Sequence, residues 1–315
     1  MKRMIPVLAL LALSATRLDA QSNAHVLIVS GLGGEPKYVQ NFLDWGSAMA
    51  EAAETRFGVP AANIVYLAEE PGQNSAVDGE STKAEIEQAL QGIASRADTD
   101  DRILILLIGH GSMDTRGSRL NLPGPDLLST EMATLLEPFS TQSVVVVNGA
   151  SASGSWHEAL DAPNRMIITA TRSGSERNET IFPRYFVEAF SADGADADRD
   201  GKVTIQEAFT YANRETERSY ETAGTLQLEH ARMEGNIELA GTFHLGAPTG
   251  QAPASASPEL RALYARRGEL ESSVDALRNR RSQMEDAAYE SELERLVLEL
   301  ARTNRSIQDL EGTSQ

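Results

Sequence analysis

Through the first two-thirds of the chain, apolar residues come in short unbroken runs separated by longer stretches of helical spacing. The runs are His25-Val-Leu-Ile-Val-Ser, Asn63-Ile-Val-Tyr-Leu, Ile103-Leu-Ile-Leu-Leu-Ile, Val144-Val-Val-Val-Asn and Arg165-Met-Ile-Ile-Thr-Ala-Thr. Each is bounded by turn residues and rich in branched side chains, so the pattern predicts five strands, the continuous ones buried on both faces. Between the first two runs, Phe42, Trp45, Met49, Ala53 and Phe57 fall on one face of a helix expected over residues 38–57. Thr82 opens a second helix reaching residue 97, with Glu85 three residues on completing a capping box. Short helices are expected over residues 127–136 and 182–190. Strands alternating with helices at this spacing predict an α/β fold, a mostly parallel sheet with helices on both faces.

After Leu245 the pattern changes. Residues 246–258, Gly-Ala-Pro-Thr-Gly-Gln-Ala-Pro-Ala-Ser-Ala-Ser-Pro, have the composition of a flexible linker. Over residues 259–311, Leu260, Leu263, Leu270, Val274, Leu277 and Met284 recur at three- and four-residue steps. Tyr289, Leu293, Leu296, Leu300, Ile307 and Leu310 do the same, about one residue out of phase. A turn at Glu285-Asp286, with Asp286 capping the second helix, makes this an α-helical hairpin of coiled-coil type; one long helix with a shifted stripe is the alternative. Arg266, Arg267, Arg278, Arg280 and Arg281 are expected to face Glu290, Glu292 and Glu294 across the pair. The apolar stripes point to a protein partner or to self-association.

Composition narrows the setting. Residues 1–20 begin Met-Lys-Arg, continue through about a dozen apolar residues and end at Leu18-Asp19-Ala20, the form of a cleaved export signal too short for a membrane span. The expectation is a periplasmic or secreted protein with no membrane span once the signal is removed. The chain carries a formal charge of −18, and loss of three cations and one anion with residues 1–20 leaves −20. That charge disfavours nucleic acid and anionic membranes as partners, and none of either kind is expected. There is no cysteine, so no disulfide staples an exported fold.

Two of the predicted strands end in loops bearing a base and a nucleophile: His110-Gly111-Ser112, and Gly149-Ala150-Ser151-Ala152-Ser153-Gly154. Loops at the carboxyl ends of parallel strands are where α/β proteins bind ligands, and adjacent strands there bring imidazole and hydroxyl side by side. These segments resemble the caspase–legumain clan of cysteine peptidases, the legumain-type branch most closely. In that family a catalytic His lies in a His-Gly-Ser segment and the nucleophilic Cys in a Glu-Ala-Cys-x-Ser-Gly segment. The resemblance spans roughly residues 24–225 and implies a caspase-like sheet. It puts Ser151 where the Cys belongs and Gly149 where the Glu belongs, and it implies a pocket for a substrate side chain built by Arg172, Ser173 and Arg177. A hydroxyl is far less acidic than a thiol and needs a well-held His, and no acid adjoins His110 in sequence, although Asp114 is close. The expected function is therefore a catalytically impaired binding or scaffold module holding a peptide or protein ligand in the old cleft, His110 and Ser151 being a vestigial dyad. The alternative is an active peptidase or serine hydrolase using Ser151 and His110. An α/β-hydrolase arrangement fits less well: its elbow wants Gly-x-Ser-x-Gly, Ser153 replaces the last Gly, and its base would be His230 or His244.

The sharpest motif is Asp196-Ala-Asp198-Arg-Asp200-Gly201-Lys202-Val-Thr204-Ile-Gln-Glu207. Carboxylates at positions one, three and five, Gly at six, a carbonyl at seven, Thr at nine and Glu at twelve match an EF-hand loop for Ca2+. Helices expected on either side, residues 182–190 and 206–220, complete an unpaired hand over 196–207 within a domain spanning residues 21–245. Gly31-Leu-Gly33-Gly34 lacks full dinucleotide spacing and reads as a turn lining the sheet edge.

Overall fold

The structure, a computed structural model, describes residues 23–192, 194–198, 202–246, 257–279, 281 and 284–312. The expected signal (1–20), Asp200 and Gly201 of the metal loop, and most of the linker lie outside the described residues.

All five apolar runs form strands: β1 (Ala24–Ser30), β2 (Ile64–Ala68), β4 (Arg102–Ile108), β8 (Ser143–Asn148) and β9 (Arg165–Thr169). With β3 (Gly79–Glu80) and β10 (Arg232–Gly235) they make one sheet in the order β10-β9-β8-β4-β1-β2-β3. Every pairing in it is parallel except β10 against β9. The runs are unbroken because both faces are covered. Along β4, Leu104, Leu106 and Ile108 enter one core cluster while Ile103, Ile105 and Leu107 enter the other. The first cluster is completed by α1 (Pro36–Glu51), α5 (Phe182–Ser191), α6 (Ile205–Ala223) and α7 (Ile237–Thr242). The second is completed by α2 (Lys83–Arg96), α3 (Ser129–Leu135) and α4 (Trp156–Leu160).

Several details depart from the pattern-based expectation. The helix expected over 38–57 begins at Pro36, which suits a first helical position, and passes into a π-helical turn at Ala52–Arg56. At α2, Thr82 accepts a hydrogen bond from the Glu85 N–H at 3.3 Å, one half of the expected box. A small antiparallel sheet of β5 (Gly111–Asp114), β6 (Gly117–Leu120) and β7 (Leu127–Leu128) follows His110 directly. Its strands are too short and too polar for periodicity to find.

The strand order reverses between β1 and β4, so the crevice outside their carboxyl ends is the topological switch point of the sheet.

The C-terminal helices are α8 (Pro258–Asn279) and α9 (Asp286–Gly312). Leu260 at the start of α8 packs with Ile307 and Leu310 near the end of α9, while Leu270, Val274 and Leu277 pack with Leu296 and Leu300, so the helices run antiparallel. Arg266 pairs across the interface with Glu299, whereas Glu292 pairs with Arg295 on its own helix at 2.7 Å. Arg266 thus finds its partner across the pair outside the run 290–294, while Arg280 of the expected opposition lies outside the described residues. Both clusters draw only on residues 260–310, which gives a testable expectation. A chain ended at Gly246 keeps the cooperative melting of the sheet domain, measured by circular dichroism; loss of that transition would make the helix pair part of the core.

Candidate functional site

His110 follows β4 and Ser151 follows β8, neighbouring strands whose ladder is prolonged by Gly149 N–H donating to Leu107 O at 2.8 Å. The two loops are in backbone contact through Gly111. A Cβ on Gly111 would stand 2.2 Å from the Ser151 carbonyl oxygen and 2.9 Å from that of Arg119, so only glycine lets the segments approach.

Ser151 is 3% exposed. Its Oγ accepts from the Gly111 N–H and donates to the Gly111 carbonyl, both at 3.1 Å. The next residue, Ala152, is left-handed at φ 54°, ψ 22°. An alanine holds that conformation, at a cost on the order of 1 kcal/mol, only where its surroundings dictate it. Here the Ala152 N–H donates to Glu176 O at 2.7 Å, and its carbonyl accepts from Ser118 Oγ at 2.6 Å. Ser118 in turn accepts from Trp156 Nε1 at 3.0 Å. Trp156 and His157 are both buried, as helix-packing residues should be.

The His110 ring lies edge-on to Tyr38 (centroids 4.6 Å apart) and Phe42 (5.2 Å). It lines a cavity of about 130 Å³ together with Lys37, Tyr38, Trp45, Glu179 and Arg184. Burial lowers its pKa, opposed by the charges of Glu179 and Glu35. The ring is therefore neutral at neutral pH. The acid nearest in sequence, Asp114, turns elsewhere: it is engaged by Arg116 and Arg119, which hold its carboxyl down at about 2. Glu179 accepts from the Tyr38 hydroxyl and pairs with Lys37 at 3.5 Å. Thus the two loops are brought together, while the Ser151 hydroxyl bonds to Gly111 and the His110 ring packs against Tyr38 and Phe42.

The loop after β9, residues 170–181, forms the next wall. Arg172 pairs with Glu176 at 2.9 Å, Ser173 Oγ lies 2.7 Å from Ser175 Oγ, and Arg177 donates to Met113 O at 3.5 Å. Thr180 Oγ1 donates to Gly149 O at 2.5 Å, stitching this loop to the Ser151 loop. His230 is held by Glu176 at 2.9 Å. His244 lies against Arg102, at the amino end of β4, with ring nitrogens 3.2 Å from Nη1. It is therefore at the opposite edge of the sheet from Ser151, and the hydrolase arrangement with His244 as base is excluded.

The acidic loop lies between α5 and α6. Carboxylate oxygens of Asp196, Asp198 and Glu207 all lie within 4.8 Å of one another. Glu207 Oε1 accepts from the Ala197 N–H at 2.9 Å; Oε2 accepts from the Thr204 N–H and hydroxyl at 2.9 and 2.8 Å. Thr204 Oγ1 accepts from the Glu207 N–H at 3.2 Å, a capping box that starts α6. Thr204 also bridges antiparallel to His244, so the exit of the loop is fixed to the domain. Lys202, whose side chain is half-buried, precedes this bridge. Convergent carboxylate and hydroxyl oxygens are a hard donor set, which suits Ca2+ and not a thiophilic or imidazole-seeking metal.

A family model described as the peptidase C13 family matches residues 59–235, more than half of the chain, from the turn before β2 to the end of β10. The chain belongs to the peptidase C13 family. The resemblance to legumain-type peptidases is thereby supported at the level of the family and of its caspase-like α/β fold. No curated protein matches the chain. A crystal structure of a protein from Geobacter sulfurreducens is similar at 12% identity and TM-score 0.45, covering 71% of this chain and 99% of that one.

One residue of this C13 domain carries no sequence signal and stands out in the structure. Glu229 is 1% exposed, and its carboxylate accepts from the N–H groups of Ile181 (2.8 Å) and Phe182 (3.1 Å) and from the Tyr220 hydroxyl (3.1 Å). Burial pushes its pKa up to about 7 despite those three donors. Tyr38, Glu179 and Glu229 were all missed by motif reading, because each acts from an ordinary helix or loop position and is brought to the cleft only by the fold.

Proposed function

We propose that this C13 protein has Ser151 at the family's cysteine position and is impaired in peptide-bond cleavage, acting as a module that binds a peptide or protein segment in the cleft beside His110. The observation that supports this is the state of the hydroxyl: buried, and engaged both as donor and as acceptor by Gly111. An attacking hydroxyl must pass its proton to the imidazole, and the Ser151 hydroxyl donates to the Gly111 carbonyl instead. Arg172, Ser173 and Arg177 are the residues we assign to the ligand's side-chain pocket. A fluorophosphonate probe tests the reading: no labelling of Ser151 is expected. Labelling that disappears in His110→Ala would favour an active serine hydrolase, for which the negative charge of Glu179 near His110 is the supporting observation.

The same reading assigns Ca2+ to the 196–207 loop. Asp196, Asp198, Asp200, the Lys202 carbonyl, Thr204 and Glu207 would hold it, and the ion would supply stability to the α5–α6 junction and take no part in cleft chemistry. Only the folded loop gathers these ligands, so calcium at a hundred times its Kd adds about 2.7 kcal/mol of stability. Melting with millimolar calcium against excess chelator is expected to show a rise that Glu207→Gln abolishes. Glutamine still serves the capping box, so the variant removes ligand charge without uncapping α6. Identical melting in both conditions would sink the assignment. Export through residues 1–20, and a partner or a second copy on the C-terminal helix pair, complete the proposal. Among the described residues no helix is long and apolar enough to cross a membrane.

A further inference from the structure

A second cavity opens on the same edge of the sheet as His110, at the ends of β1 and β2 and beside the first turns of α1. Its volume is about 380 Å³, within the range of small-ligand pockets. The walls are of two kinds. Val39, Phe42, Leu43 and Ala68 make an apolar face, whereas Glu69 and Glu70 bring carboxylates; among the described residues that line it, none is cationic. The half-buried Glu69 is held in place, its Oε2 accepting from the Gly33 N–H at 2.8 Å. Gly33 is itself packed on α1, where a Cβ would stand 2.6 Å from the Val39 nitrogen. The hydroxyls behind the apolar face are satisfied within the protein: Ser30 Oγ donates to Phe42 O at 2.9 Å, and the Tyr66 hydroxyl to Leu43 O at 3.1 Å.

We propose that this cavity takes a basic side chain, arginine or lysine, with its alkyl stem against Val39 and Leu43 and its cation against Glu69. An anion would meet like charge there, and a purely apolar group would bury the carboxylate without a partner. A hard divalent ion needs six to eight oxygens, which the apolar face does not supply. Among the described residues, three convergent acidic groups occur at the 196–207 loop and not here. A charge carried at the end of a hydrocarbon stem matches both kinds of wall. That the basic residue belongs to the cleft ligand rests on the reading above. Phe42 lines both this cavity and that of His110, its ring edge-on to the imidazole at 5.2 Å. The ends of β2 and β4 are two strand spacings apart, about 10 Å, so an extended chain reaches from one to the other in about three residues. The loop bearing Arg172, Ser173 and Arg177 follows β9, on the other side of His110 in the strand order. The cavity therefore reads a second position of the ligand.

The test sets N-acetyl-arginine amide against its citrulline counterpart, which has the same shape and no charge, in methyl NMR titrations of the full-length protein. The arginine amide is expected to move the Val39 and Leu43 methyl signals and to bind roughly tenfold more tightly than the citrulline amide, the scale of one charge-assisted hydrogen bond. Glu69→Gln keeps an acceptor for the Gly33 N–H and is expected to erase that preference. Glu54→Gln removes the same charge from an exposed position beyond α1 and is expected to leave it intact, which separates a built site from general attraction to an acidic protein. Gln40→Lys supplies a second variant outside the packed wall: it sets a competing cation on the exposed rim and is expected to weaken arginine binding. No movement at Val39 and Leu43, equal binding of the two amides, or equal losses in Glu69→Gln and Glu54→Gln overturns the proposal. An alanine heptapeptide with a central arginine then tests the link to the cleft, since His110 ring signals are expected to move together with those of Val39. Movement at Val39 with His110 unchanged keeps the cavity and overturns the cleft reading, so the two fail separately.

Discussion

Glu229→Gln is expected to flatten the pH dependence of stability, removing a loss of about 3 kcal/mol that the wild type shows between pH 4 and pH 8.5 in urea unfolding followed by circular dichroism. The sign follows from proton counting. The carboxyl ionises at about 7 in the folded protein against an ordinary 4.5, so between those values the folded state binds more protons than the unfolded one. Stability therefore falls as pH rises through that window and is level above it. Glutamine never carries the charge, but it has one acceptor oxygen where Glu229 uses two, Oε1 for Ile181 and Tyr220 and Oε2 for Phe182, so it loses one backbone hydrogen bond at every pH. A wild type whose stability does not fall relative to the variant over that range would mean that the three donors outweigh burial and that the carboxylate is the preferred form.

How much of this was legible in the sequence depends on how local each signal is. The five strands and both sheet faces were readable because burial on two sides demands continuous apolar runs, and Val144–Val147 or Ile103–Ile108 can hardly do anything else. The positions of His110 and Ser151 followed from the same runs, since a parallel strand delivers its next residues to one edge of the sheet. The antiparallel edge strand Arg232–Gly235 and the β5–β7 sheet left no trace, being four residues or fewer and largely polar. The electrostatics of the cleft were equally silent. His110 meets Glu179 across nearly seventy positions, and Glu229 reaches Ile181 across 48, so no spacing rule connects them. The pairing of Arg266 with Glu299, a residue outside the 290–294 run, makes the same point: stripe periodicity finds a helix face, whereas the stagger between two helices is set by which leucines interlock.

Gly111→Ala is expected to destabilise the domain by about 3 kcal/mol, the upper range for forcing atoms into a packed interior. The clash is with backbone on both sides, the carbonyl oxygens of Ser151 and Arg119, and neither can swing away as a side chain would. Relief requires the Ser151 loop to separate from β5, yet Ala152 is pinned by Ser118 and Glu176 in a conformation that has few alternatives. The substitution should therefore break the Gly111–Ser151 hydrogen-bond pair as well as lower the melting temperature. Gly72→Ala supplies the control, since a Cβ there meets nothing within 4 Å, and its effect should stay within about 0.5 kcal/mol. Equal melting of the two variants would show that the loops do not touch at Gly111. In that case the glycine of His110-Gly111-Ser112 would have no packing role, and the contact that now joins the two halves of the site would have to be sought elsewhere along the sheet edge.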